Sequence, residues 1–170
     1  WGAQTAIAQT LGTDFDSAIV MGAGATASSL IVALQRLGVS DVTVVARDLG
    51  KATASASLAE RLGLTAHVAE LGTGTHQADL LVNTLPGSVS LDADVIEDLD
   101  AGALFDVVYS PWPTNLAREW SHRGLPATSG LHMLLWQAVR QARVFYGESV
   151  DDPLPDESLV VTAMRSAVGL

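Results

Sequence analysis

The chain has no cysteine and a single lysine, Lys51. Without thiols there is no disulfide and no thiolate nucleophile, and a reduced, cytoplasmic setting fits. Basic residues are scarce: 9 against 19 acidic ones, a net charge of −10 over 170 residues. That balance predicts neither nucleic acid nor an anionic membrane surface as a partner. No apolar run approaches the roughly 18 residues that suggest a membrane span. No basic segment followed by an apolar one opens the chain. His67 and His76 stand alone, so no metal site is predicted from them. The acidic stretch Asp92, Asp94, Glu97, Asp98 and Asp100 lacks the order and the central glycine of a calcium loop. It reads as a solvated helix face.

What is present is a 48% hydrophobic composition, enough for one domain with a sizeable core. The chain is organised around Gly22-Ala23-Gly24-Ala25-Thr26-Ala27. An apolar run, 18–21, reads as a buried strand; it breaks into glycine and re-forms as a helical pattern reaching about 37, stopped by Gly38. The spacing G-x-G-x-x-A is the form expected where a dinucleotide pyrophosphate sits on a helix N-terminus. Gly22 permits the tight turn, Gly24 lets phosphate approach the backbone, and Ala27 lets the helix pack close. About 20 residues on, as the fingerprint requires, a second strand over 41–46 ends at Arg47. An acidic residue there would accept from a ribose 2′-hydroxyl, whereas an arginine would pair with a 2′-phosphate. Arg47, with Lys51 a turn further on, therefore points to NADP(H). Asp48 lies between them, repulsive to a phosphate but well suited to cap the following helix.

The rest of the chain alternates. A helix is predicted over 1–12, so that the chain begins inside a helix at Trp1. Further helices are expected over 50–62, 92–96, 114–123 and 130–147, with a last one at 156–167. Strands are expected over 65–69, 79–84, 103–109 and 125–129. A helical turn reaching Ala78 fits after the loop at 72–75, and the acidic, proline-containing stretch 151–155 reads as a solvated linker. Such alternation predicts an α/β fold, a doubly wound, Rossmann-like parallel sheet of about six strands with helices on both faces. Ligand-binding loops would lie at the carboxyl ends of the strands: 22–27, Arg47, 84–87, 109–113 and Gly130. Tyr109, at such an end, and Gln137, a polar residue among apolar neighbours, are candidate ligand contacts.

These pieces, in order, resemble the C-terminal, NADP-binding domain of the shikimate dehydrogenase family. The likeness rests on Gly22–Ala27, Val45-Ala46-Arg47-Asp48 with Lys51, Val82-Asn83-Thr84-Leu85-Pro86 and Asp106-Val107-Val108-Tyr109-Ser110-Pro111. Most specific is Gly130-Leu131-His132-Met133-Leu134-Leu135-Trp136-Gln137-Ala138. The resemblance implies that Gly22, Ala23, Gly24, Ala25 and Thr26 hold the pyrophosphate of NADP. It places Ala46, Arg47 and Lys51 at the 2′-phosphate, and Thr84 and Val107 along the adenosine and nicotinamide sides of the groove. Gly130 and Met133 would meet the nicotinamide. Tyr109 and Gln137 would reach shikimate or 3-dehydroshikimate. The family usually has Asn-Arg-Thr where Ala46-Arg47-Asp48 stands, and glycine where His132 stands.

The resemblance also implies a Lys–Asp pair supplied by an N-terminal substrate domain. The only lysine here is Lys51, so no catalytic residue is expected in these 170 residues, which alone would be inactive. The whole chain, 1–170, would be one cofactor-binding domain, its C-terminal helix, 156–168, packing toward the missing N-terminal domain. An apolar face left uncovered would favour a homodimer. An NAD-linked quinate/shikimate dehydrogenase and a non-catalytic nucleotide-binding module are the alternatives. A methyltransferase is disfavoured, because Arg47 would repel its sulfonium.

Overall fold

Strand β1 (Ser17–Met21) lies in the middle of the sheet in the computed structural model, which describes residues 1–147 and 149–170. Its neighbours are β2 (Asp41–Ala46) on one side and β4 (His76–Asn83) on the other. β3 (Thr65–Glu70) pairs outside β2, and β5 (Leu99–Asp106) and β6 (Ala127–Ser129) extend the other edge. Among the described residues the order is β3-β2-β1-β4-β5-β6, every pair parallel. This is the doubly wound order, and the chain reverses its direction of travel across the sheet between β1 and β4.

Alternation along the strands divides the core. Ala18, Val20, Val42, Val44, Leu80, Val82 and Phe105 face one layer, built from α1 (Gly2–Thr10), α2 (Ala25–Leu37), α3 (Leu49–Arg61) and α6 (Gly130–Tyr146). Ile19, Met21, Val45, Leu81 and Leu104 face the other, with Ile96 of α4 (Ala93–Glu97) and Leu116, Ala117 and Trp120 of α5 (Asn115–His122). Trp120 is fully buried and its indole N–H donates to the Ala101 carbonyl at 3.2 Å. Both faces are covered, so the central strands are apolar throughout, as parallel strands require.

Two elements depart from expectation. No helical turn precedes Ala78; β4 already starts at His76, and β5 starts at Leu99 rather than 103. These two beginnings pair with each other, His76 opposite Leu99 and Ala78 opposite Ala101, beyond the reach of β1. Their solvent side is polar, which removed the apolar run by which a strand is recognised. β5 also stops at Asp106, before Val107-Val108-Tyr109.

The final helix, α7 (Glu157–Val168), lies against α6. The Arg143 guanidinium of α6, 7% exposed, donates to both Glu157 carboxylate oxygens at 2.7 and 2.6 Å. That guanidinium holds the Glu157 carboxyl below its ordinary pKa, ahead of the opposing effect of burial. The stretch 151–155 is solvated, as expected, and is tied down at Asp151. Asp151 accepts from Arg140 at 3.0 Å, and its carbonyl accepts from Arg143 at 3.3 Å. α7 buries no residue fully; Val161 and Met164 pack against the core, Arg165 donates to Gln9 of α1 at 3.1 Å, and the Arg143–Glu157 pair completes its attachment. Glu157→Ala strands a buried guanidinium and is expected to cost about 3 kcal/mol. Urea denaturation, with amide exchange across 149–170, reads the loss.

Candidate functional site

The crevice at the β1/β4 reversal begins with Gly22, whose φ of 102° is the left-handed conformation that glycine tolerates. A Cβ on Gly22 would collide with Thr84 Oγ1. Thr84 is held there because its backbone N–H and its hydroxyl both donate to the Met21 carbonyl at 2.8 Å. The Gly22 N–H donates to the Val45 carbonyl at 2.8 Å. β1, β2 and β4 are thus tied together where the loop leaves the sheet.

Gly24 is the residue at which α2 starts, and no side chain caps that helix. The first N–H groups of a helix have no partner within it, and here Gly24, Ala25 and Thr26 are exposed at its start. No atom lies within 4 Å of where a Cβ on Gly24 would stand. α3, α5 and α6 are each closed by a side chain of their own, Asp48, Thr114 and Ser129, whereas α1, α4 and α7, like α2, have no side-chain cap. Such an open, uncapped N-terminus with no carboxylate in its first turn suits a diphosphate.

At the end of β2, Ala46 is buried and Arg47, Asp48 and Lys51 are exposed. Asp48 Oδ1 accepts from the Lys51 N–H at 3.1 Å, as a capping residue should, and Oδ2 lies 3.5 Å from Lys51 Nζ. Arg47 makes no ion pair among the described residues.

Two clefts flank the crevice. One, of about 610 Å³, lies between α1, the start of α2 and α6. It brings Ala25, Thr26, Met133 and Gln137 together and adds Arg140, which the spacing along the chain does not announce. Gln137 is exposed in it rather than buried among its apolar neighbours. The other, of about 390 Å³, lies beside α5 and is lined by Asn83, Leu85, Pro86, Val108 and Thr114 among others. Arg47, Lys51 and Tyr109 line neither cleft, and Tyr109 is 53% exposed at the end of the β5 loop. Val107 is part-buried. Gly130 is buried; a Cβ there would strike the Val107 carbonyl oxygen, so close backbone packing alone requires glycine. His132 is half-buried with Nδ1 unpaired; burial first, then the Arg165 charge, lowers its pKa.

Beneath the second cleft lies a polar network that sequence reasoning did not anticipate. Asp106 is fully buried. Its Oδ1 accepts from Asn83 Nδ2 at 3.0 Å and from the Val108 N–H at 3.1 Å. Its Oδ2 accepts from the Thr114 hydroxyl at 2.7 Å, and Thr114 Oγ1 in turn accepts from the Ala117 N–H at 3.1 Å. Asn83 Oδ1 accepts from the Leu85 N–H at 3.1 Å. Asn83 and Asp106 are opposite one another in the β4–β5 register, a pairing that only the sheet order reveals.

The strand order, the reversal and the open helix start define the class: a Rossmann-type α/β domain, whose switch-point crevice is where such folds take nucleotides. No protein-family model matches the chain. A shikimate dehydrogenase (NADP(+)) of Thermus thermophilus is 35% identical over 159 residues, covering 90% of this chain and 55% of that protein. A solved shikimate 5-dehydrogenase of Mycobacterium fortuitum superposes with a TM-score of 0.78 at 36% identity, covering 98% of this chain and 60% of that one. A solved shikimate 5-dehydrogenase of Thermus thermophilus, in complex with NADP(H) and shikimate, gives 0.72 at 33%, over 98% and 60%. The chain belongs to the shikimate dehydrogenase family, and it spans about half the length of the relatives it matches. Among the described residues no helix is long and apolar enough to cross a membrane.

Burial raises the Asp106 pKa against the lowering effect of its three donors. The folded chain therefore holds that proton more tightly than the unfolded one. The resulting stabilisation is full below the ordinary aspartate value of about 4 and is lost as pH rises through the raised value. Stability measured against pH for the wild type minus Asp106→Asn is expected to fall across that window. A flat difference would show that the carboxyl does not carry the linkage.

Proposed function

We propose that this chain is the NADP(H)-binding domain of a shikimate dehydrogenase, which reversibly reduces 3-dehydroshikimate to shikimate. The observation that carries the reading is the exposed start of α2 directly after the Gly22 turn, with no side-chain cap and open space beside Gly24 for an anion. Gly22, Ala23, Gly24, Ala25 and Thr26 bind the diphosphate through backbone N–H groups. Arg47 pairs with the 2′-phosphate, beside Ala46 and Lys51. Thr84 and Val107 line the groove, and Gly130 and Met133 pack at its nicotinamide end. Bound NADPH supplies the hydride. Tyr109 and Gln137, both exposed, are free to hydrogen-bond the substrate's hydroxyls or carboxylate.

The acid–base group at the reacting oxygen comes from outside these residues, because the one lysine sits at the end of β2. On this reading the chain is a single domain that binds cofactor without turning substrate over by itself. A substrate-binding domain completes the enzyme in the cytoplasm. The exposed residues of α7, Leu159 among them, offer a surface for that domain or for a second copy. Asp48 favours a second reading, an NAD-linked quinate/shikimate dehydrogenase, since a carboxylate at this strand end suits an unphosphorylated ribose.

Calorimetric titration of the chain with NADPH and NADH separates the two. NADPH is expected to bind at least about tenfold tighter, the scale of one added charge-assisted contact. Arg47→Ala is expected to remove the preference. Equal binding, or tighter NADH, would favour the NAD-linked reading. Gly24→Val is a second probe: its Cβ meets no protein atom, so the fold is expected to stand while both nucleotides lose at least about tenfold. Retained affinity in Gly24→Val would place the diphosphate elsewhere.

A further inference from the structure

Two neighbouring strands end in the same way. The ladder between β4 and β5 closes with Asn83 opposite Asp106. Asn83 Oδ1 accepts from the N–H two residues on, that of Leu85, at 3.1 Å. Asp106 Oδ1 does the same for Val108, also at 3.1 Å. Side-chain turns of this kind bend a chain as it leaves a strand. The two turns are joined, because Asn83 Nδ2 donates to Asp106 Oδ1 at 3.0 Å and the Val107 N–H donates to the Asn83 carbonyl at 3.0 Å. The Thr114 hydroxyl, 2.7 Å from Asp106 Oδ2, fixes the other side of the carboxylate. Beyond the turn, the Gly130 N–H donates to the Val108 carbonyl at 3.3 Å, and Gly130 packs on the Val107 carbonyl. Val107 and Val108 are thus gripped between a buried side chain and the start of α6. Tyr109 emerges from that grip into solvent.

We infer that Asp106 is a positioning residue for the nicotinamide end of the nucleotide, acting through the Val107–Tyr109 segment that its carboxylate turns and holds. Asp106 is fully buried and touches no ligand itself. The adenosine end has separate supports. The Gly22 turn is held by the Val45 carbonyl, and the helix that follows Arg47 is capped by Asp48; neither bond includes Asp106. The inference rests on the proposed nucleotide site and deepens it: the two ends of one ligand depend on different hydrogen-bond sets. A residue that merely supported the fold would affect both ends alike.

Calorimetric titration with NADPH and with adenosine 2′,5′-bisphosphate, which carries the adenosine end alone, reads the two ends separately. Asp106→Ala is expected to weaken NADPH at least about tenfold while the bisphosphate stays within about twofold of the parent. Asp106→Asn keeps an oxygen for the Val108 N–H and is expected to recover most of that loss. Should Asp106→Ala not fold, Thr114 gives the same test from the other carboxylate oxygen. Thr114→Val is expected to weaken NADPH at least about threefold, with the bisphosphate unchanged, and Thr114→Ser to restore it. Equal weakening of both probes, unchanged NADPH affinity, or no recovery in the conservative variants would overturn the inference and leave the proposed function standing. So would a parent chain that binds NADPH but not the bisphosphate. Failure of the parent chain to bind NADPH would overturn both.

Discussion

A buried carboxylate holds together the edge of the sheet where β4 and β5 end. Asp106 takes three hydrogen bonds from three separate segments: the end of β4, the turn after β5 and the residue that caps α5. A carboxylate removed from water at this depth is tolerable only when every approach is filled by a donor. The requirement works in reverse as well. Asn83, Val108 and Thr114 can sit only where they satisfy it, so the loops on that side leave the sheet from set positions. Thr84, next to Asn83, then bonds to Met21 and closes the reversal between β1 and β4.

From that edge the two halves of the sheet take different parts. The β1–β2 half presents an uncapped helix start and, at the end of β2, Arg47 and Lys51 with Asp48 between them. The β4–β5–β6 half presents a hydrogen-bonded wall that carries Arg118, together with the closely packed Gly130. α6 returns from the second half to the face occupied by α2. It thereby brings Met133 and Gln137 into one cleft with Ala25 and Thr26, more than a hundred residues earlier in the chain. α7 is then clamped over α6 by a single buried ion pair. Such a clamp contributes little net stability against an apolar alternative, but its loss on one side is costly.

Much of the fold was legible because it follows from local rules. The apolar runs of β1 and β2, the breaker Gly38 and the caps Asp48 and Thr114 each act through their immediate neighbours. The first halves of β4 and β5 were not legible, because each is a strand only by virtue of the other. The candidate site divides in the same way. Gly22, Gly24, Arg47 and Lys51 are announced by spacing along the chain. The contribution of Arg140 to the cleft and the Asn83–Asp106–Thr114 network depend on which strands and helices become neighbours.

The alternation of strand and helix, the glycine turn and the charged residues that follow β2 are all written in the order of residues. They need nothing beyond spacing and the conformations that glycine, aspartate and threonine favour. Folding in three dimensions settled the rest: that Asp106 would be buried with three donors in place, that Asp151 would bond to α6, and that Arg143 would meet Glu157. Each of these depends on groups brought within about 3 Å by packing. A linear sequence records which groups are present but not which of them will share the same few ångströms.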